Sequence, residues 1–115
     1  MGLLSKKCRT LNLICYTREE DIILVLNVTY TVKDGLREEY YNAIAPLAKY
    51  FNTENGCICY KYYNSCEDKN ELFLLEKWES KEAQLAHTET EQFASLQALK
   101  EEYVTDTIVE RYVAN

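Results

Sequence analysis

The feature that most narrows the fold is the stretch DIILVLNVTYTV at residues 21–32. Its strict alternation of β-branched, aliphatic and hydroxyl side chains predicts a strand with a fully apolar face. That face carries Ile22, Leu24, Leu26, Val28, Tyr30 and Val32. The opposite face begins with Ile23 and Val25 and turns polar at Asn27, Thr29 and Thr31. A strand that is oily on one side throughout and on the other for half its length belongs in a sheet covered on both sides.

The rest of the chain supplies the sheet and one of its covers. Asp34-Gly35 ends the first strand. Leu36, Tyr40, Ala43, Ile44, Leu47, Ala48 and Phe51 then recur at helical spacing, with Pro46 predicted to kink the helix or end it early. Asn55-Gly56 turns into a second strand, residues 57–64, with Ile58, Tyr60 and Tyr62 on one face and Cys57, Cys59, Lys61 and Tyr63 on the other. A third strand, residues 72–78, sets Leu72, Leu74, Glu76 and Trp78 against Phe73, Leu75 and Lys77. Ser80 caps a second helical region with the stripe Ala83, Ala86, Thr90, Phe93, Leu96, Leu99 and Tyr103, interrupted near residues 88–92. Residues 107–113 form a last strand, with Val109 and Val113 on one face. The order β-α-β-β-α-β predicts an α+β, ferredoxin-like fold: a four-stranded antiparallel sheet with helices on one face. Phe73 and Leu75 would lie on the bare face, so a second copy of the chain is the simplest cover and a homodimer is expected.

With 115 residues the chain fits one domain over residues 21–115, preceded by an extension, residues 1–20. In that extension Leu11, Leu13 and Cys15 alternate with Asn12, Ile14 and Tyr16, as in an added edge strand. Lys6, Lys7 and Arg9 precede only a short apolar run with no cleavage site, so a cytoplasmic protein is expected. No apolar run is long enough to cross a membrane, and a net charge of −6 argues against nucleic acid as partner. The five cysteines lack CxxC spacing and read as buried or free thiols, with no metal site expected.

Three ordered segments carry a family resemblance. They are Glu54-Asn55-Gly56-Cys57-Ile58-Cys59-Tyr60, then Phe73-Leu74-Leu75-Glu76-Lys77-Trp78-Glu79-Ser80, then Ala83, Ala86-His87, Thr90 and Phe93. Together they resemble the antibiotic biosynthesis monooxygenase (ABM) domain, over about Ile22 to Val113. The resemblance implies a dimeric α+β barrel with a pocket between sheet and helices in each subunit. Known members oxidise quinol-like or anthrone-like aromatics without flavin, haem or metal, degrade haem, or isomerise small phosphorylated signals. Trp78 matches the pocket tryptophan of the anthrone-oxidising members, while their asparagine and tyrosine fall at Leu74 and Gln84. The haem-degrading set falls at Val28, His87 and Gln97, so that constellation is absent and haem degradation is not expected. Where other members show H-x-x-T-P-H, His87 and Thr90 remain and Glu91-Gln92 replaces Pro-His.

The function so implied is cofactor-independent monooxygenation of a small aromatic or quinol-like compound, with no cofactor bound. His87 reads as the proton acceptor, the alternative being a structural histidine bonded to backbone or carboxylate. Trp78, Leu74 and Phe93 line the pocket, Tyr60 or Tyr62 orients a substrate oxygen, and Glu76 points inward, paired to a lysine or to His87. Two other readings stand beside it. One is a non-catalytic ligand-binding or sensing dimer; the other is an isomerase of a phosphorylated metabolite, which needs Lys61 or Lys77 in the pocket.

Overall fold

The computed structural model describes residues 22–115. Its elements run β1 (Ile23–Val32), α1 (Arg37–Phe51), β2 (Cys57–Asn64), β3 (Glu71–Trp78), α2 (Lys81–His87), α3 (Glu91–Tyr103) and β4 (Val104–Ala114). The strands form one antiparallel sheet in the order β2-β3-β1-β4, the ferredoxin-like arrangement expected. The second helical region is two helices, because the chain leaves helical geometry at Thr90, which is extended (φ −93°, ψ 161°). The edge strand expected within residues 1–20 lies outside the described residues.

One sheet face carries the core. Leu24, Leu26, Val28, Tyr30 and Val32 of β1 pack with Leu72, Leu74 and Trp78 of β3 beneath Tyr40, Ile44 and Phe51 of α1 and Leu96 and Tyr103 of α3. Register fixes the rows of this face. Tyr60 and Glu76 are cross-strand partners, as are Glu76 and Leu26, and Leu26 is in turn opposite Arg111 of β4. Directly opposed residues share a face, so one row runs Tyr60, Glu76, Leu26, Arg111. On the other face lie Val25, Asn27 and Thr29 of β1, Phe73, Leu75 and Lys77 of β3, and Ile108 and Tyr112 of β4. Here Val25 is nearly fully covered beside Lys77 and Tyr112. Asn27 approaches the Tyr112 hydroxyl at 3.5 Å, at the outer limit of a hydrogen bond.

Three local expectations are corrected. Helix α1 does not end at Pro46 but runs through it to Phe51. Pro46 is exposed, so the carbonyl it leaves without a donor can turn to water. In β2 the register shifts between Cys57, opposite Trp78, and Cys59, opposite Lys77, leaving Ile58 as the extra residue of a bulge. Cys57 therefore joins Tyr60 and Tyr62 on the core face, Ile58 is exposed, and Cys57 and Cys59 do not share a face. Ala86 is exposed, and Gln84 takes the buried place on α2. Val109 and Val113 share a face, as expected, and are 52% and 58% exposed.

Candidate functional site

The covered face becomes a site where the turn before β2 meets the end of α2. Gly56 sits at φ +84°, a left-handed conformation that favours glycine, and a Cβ there would stand 2.5 Å from the Ala83 Cβ. The turn thus lies flat against α2. Ser80 caps α2 by accepting from the Ala83 amide at 3.0 Å. Thr90 caps α3 by accepting from the Phe93 amide at 3.1 Å, and its hydroxyl donates to the His87 carbonyl at 3.0 Å. His87, the last residue of α2, is therefore fixed from both sides.

The His87 side chain is 1% exposed, and its Nδ1 lies 2.7 Å from Glu54 Oε1, a carboxylate whose side chain is 11% exposed. A carboxylate accepts, so Nδ1 carries the hydrogen of this bond, and in the neutral ring Nε2 is then the nitrogen with the free lone pair. Four aromatic rings surround the imidazole: Phe51 at 4.5 Å between centroids, Trp78 at 4.8 Å, Phe93 at 5.1 Å and Tyr60 at 5.6 Å. Asn52, at the end of α1, holds Tyr60 in place by bonding both its backbone amide (3.1 Å) and its carbonyl (2.8 Å).

A second carboxylate adjoins this box. Trp78 Nε1 donates to Glu76 Oε1 at 3.0 Å, and both residues are buried. Burial pushes the Glu76 carboxyl above its ordinary range; the Trp78 hydrogen bond, His87 whenever it is protonated, and the charges of Lys100 and Arg111 pull the other way. Burial likewise raises the phenols of Tyr60 and Tyr62, so both stay protonated donors at neutral pH. The Cys57 thiol is pushed up to about 11, chiefly by burial with Glu54 and Glu76 nearby, which leaves it unreactive.

The structure brings together His87, Trp78, Tyr60, Glu76 and Phe93 in this box, with Tyr62 next along β2, its ring 5.8 Å from that of Tyr60. Leu74 is fully buried core, opposite Tyr62. The partner expected for Glu76 is corrected: its hydrogen bond comes from Trp78, while His87 pairs with Glu54. Lys61 and Lys77 are opposite Leu75 and Val25 and so face away from the helices. Sequence reasoning quoted Glu54 in a motif yet passed over it as a site residue, because a carboxylate in a turn has no periodicity to place it. Phe51 and Lys100 read only as parts of a helix. Among the described residues no group of three or more His, Cys, Asp or Glu side chains could hold a metal ion, and no helix is long and apolar enough to cross a membrane.

Fold and site define an α+β, ferredoxin-like protein with a buried histidine–carboxylate pair among aromatic rings. The profile of the antibiotic biosynthesis monooxygenase family matches residues 23–99, and the chain belongs to that family. A relative from Bacillus subtilis (strain 168), named "Putative monooxygenase YcnE", is 28% identical over 83 residues, 72% of this chain and 87% of that protein. Among solved structures, a Bacteroides thetaiotaomicron protein superposes with a TM-score of 0.74 at 26% identity, over 80% of this chain and 97% of the other. A Caulobacter crescentus CB15 protein bearing the family's name superposes with a TM-score of 0.76 at 21% identity, over 81% and 90%.

Proposed function

We propose that this protein is a monooxygenase that oxidises a small aromatic or quinol-like compound without a bound cofactor, using His87 as proton acceptor. The observation that carries the reading is the His87–Glu54 pair buried inside aromatic walls, beside the second buried carboxylate, Glu76. A dry apolar site suits the chemistry, because a phenol that loses its proton there becomes an electron-rich anion able to give electrons to dioxygen. Glu54 orients the imidazole and stabilises the imidazolium formed when Nε2 takes that proton. For a hydroquinone the atoms balance when one ring C–H becomes C–OH and the ring leaves as the quinone. One oxygen of dioxygen enters the product, the other leaves as water with the proton His87 returns, and the substrate supplies every electron. Trp78, Phe93 and Leu74 wall the site, and Tyr60 or Tyr62 donates to the substrate oxygen.

The open face supports the further proposal that two copies associate through it, each chain keeping its own site. Ile108 and Tyr112 on that face are large, apolar and about half exposed. The family's phosphorylated-substrate chemistry has less support, because Lys61 and Lys77 lie on the side away from His87. Oxygen uptake with a panel of hydroquinones tests the enzyme reading. The parent should consume oxygen with at least one of them, and His87→Ala should lose about a hundredfold or more of that rate. Equal rates in the two proteins would remove His87 from the chemistry, and no turnover by either would favour the non-catalytic, ligand-binding reading.

A further inference from the structure

Among the described residues, two buried phenol hydroxyls lack a hydrogen bond of good geometry. Tyr40, on the first turns of α1, is 0% exposed, and its hydroxyl has no hydrogen-bond partner among the described residues. The Tyr62 hydroxyl, on β2, is likewise buried without a partner; that of Tyr60 is near enough to be felt but makes no hydrogen bond of good geometry with it. Leaving a buried hydroxyl unpaired forfeits a hydrogen bond it would have had in water, so interiors rarely hold one without a reason. This interior holds two, from opposite layers, and close enough that a charge on Tyr40 is felt at Tyr62.

Their surroundings indicate what they would hold. The Tyr30 ring lies 6.4 Å from that of Tyr40, and Lys100 of α3 places Nζ 5.4 Å from the Tyr30 centroid. Lys100 is half-buried and lines a cavity of about 370 Å³ that opens toward solvent between α3 and the start of β4. Two buried donors without acceptors of good geometry, and an ammonium over the Tyr30 ring that adjoins Tyr40, are the features of a site for an electron-rich oxygen. Glu76, whose charge Lys100 also feels, is the group that opposes an anion there.

We propose that the Tyr40 and Tyr62 hydroxyls together hold one ring oxygen of a phenol- or quinol-type ligand, with Lys100 as the cation that favours that oxygen as an anion. This deepens the monooxygenase reading and rests on it for the identity of the ligand; the binding itself does not require turnover. In a catalytic cycle the two hydroxyls and the ammonium would steady the charge of the phenolate once His87 holds its proton.

The test uses para-nitrophenol as a probe that binds without being oxidised, read through the fluorescence of Trp78, the single tryptophan of the chain. The parent should show saturable quenching. Tyr40→Phe and Tyr62→Phe should each weaken binding by about tenfold or more, the worth of a hydrogen bond to a charged oxygen, and Lys100→Met should weaken it as well. Both phenylalanine variants should melt at or above the parent temperature, since each removes an unpaired hydroxyl; a clear fall would mean the hydroxyl is structurally bonded and would overturn the proposal. No quenching in the parent, or parent-like binding by both phenylalanine variants, would overturn it too. If the variants bind weakly but no hydroquinone is ever consumed, the oxygen site stands and the monooxygenase reading falls. If hydroquinone turnover is the same in parent and variants, the reverse holds.

Discussion

Strands β3 and β4 flank the same central strand, β1, and have opposite fates. In β3 every second residue is buried, from Leu72 to Trp78, and the residues between are half-covered. In β4 every residue between the two ends is exposed, although Ile108, Val109, Tyr112 and Val113 are as apolar as their counterparts. The helices account for the difference. They roof β2, β3 and β1; among the described residues β4, at the sheet edge, has no cover on either face and no partner along its outer backbone edge. The chain completes its own core around the site on one side of β1. On the other it presents an oily edge, a liability unless another surface covers it.

Replacing Trp78 with alanine breaks the closed half and should have the largest effect. It removes a fully buried indole and the donor to Glu76, so a loss of about 3–5 kcal/mol in denaturant unfolding is expected. Gly56→Ala strikes the same half through the backbone. A side chain at φ +84° is strained and would meet the Ala83 Cβ, so about 1–3 kcal/mol should be lost, with the His87–Glu54 pair displaced. On the open half, Ile108→Glu should change the stability of the single chain by about 0.5 kcal/mol or less. Sedimentation should nonetheless show its association weakened; an unchanged mass would mean that this face is not where copies meet.

The smallest effect concerns Glu76 and pH. Its folded pKa is raised, so the stability tied to its protonated form is complete below the ordinary carboxylate range and is lost as pH climbs through the higher folded value. Glu76→Gln keeps an acceptor for Trp78 Nε1 and removes that loss. The variant should melt close to the parent in acid and slightly above it at neutral pH. The opposite sign at neutral pH would show the Glu76 charge to be stabilised, not penalised, where it sits.

The arrangement of strands and helices was legible because the alternation of residues 22–32 and the three-and-four spacing of Tyr40, Ile44 and Phe51 are determined by burial. So was the inward aim of Trp78, Glu76 and Tyr60, which follows from strand parity once the register is right. Parity failed at Cys57 and Ile58, because a bulge adds a residue and nothing in the composition of CICY marks it. Glu54 escaped for a different reason: its role depends on a turn meeting a helix end thirty-three positions away, a contact that no local pattern encodes. The unpaired hydroxyl of Tyr40 is a property of its surroundings and has no signature in the chain at all.

The measurement that bears most directly on the proposed chemistry is turnover of a hydroquinone under isotopically labelled dioxygen, with the product analysed by mass spectrometry. The account predicts one labelled oxygen in the product of the parent and almost no labelled product from His87→Ala or Glu54→Gln at equal protein concentration. A quinone formed without label, its electrons having gone to peroxide, would contradict it.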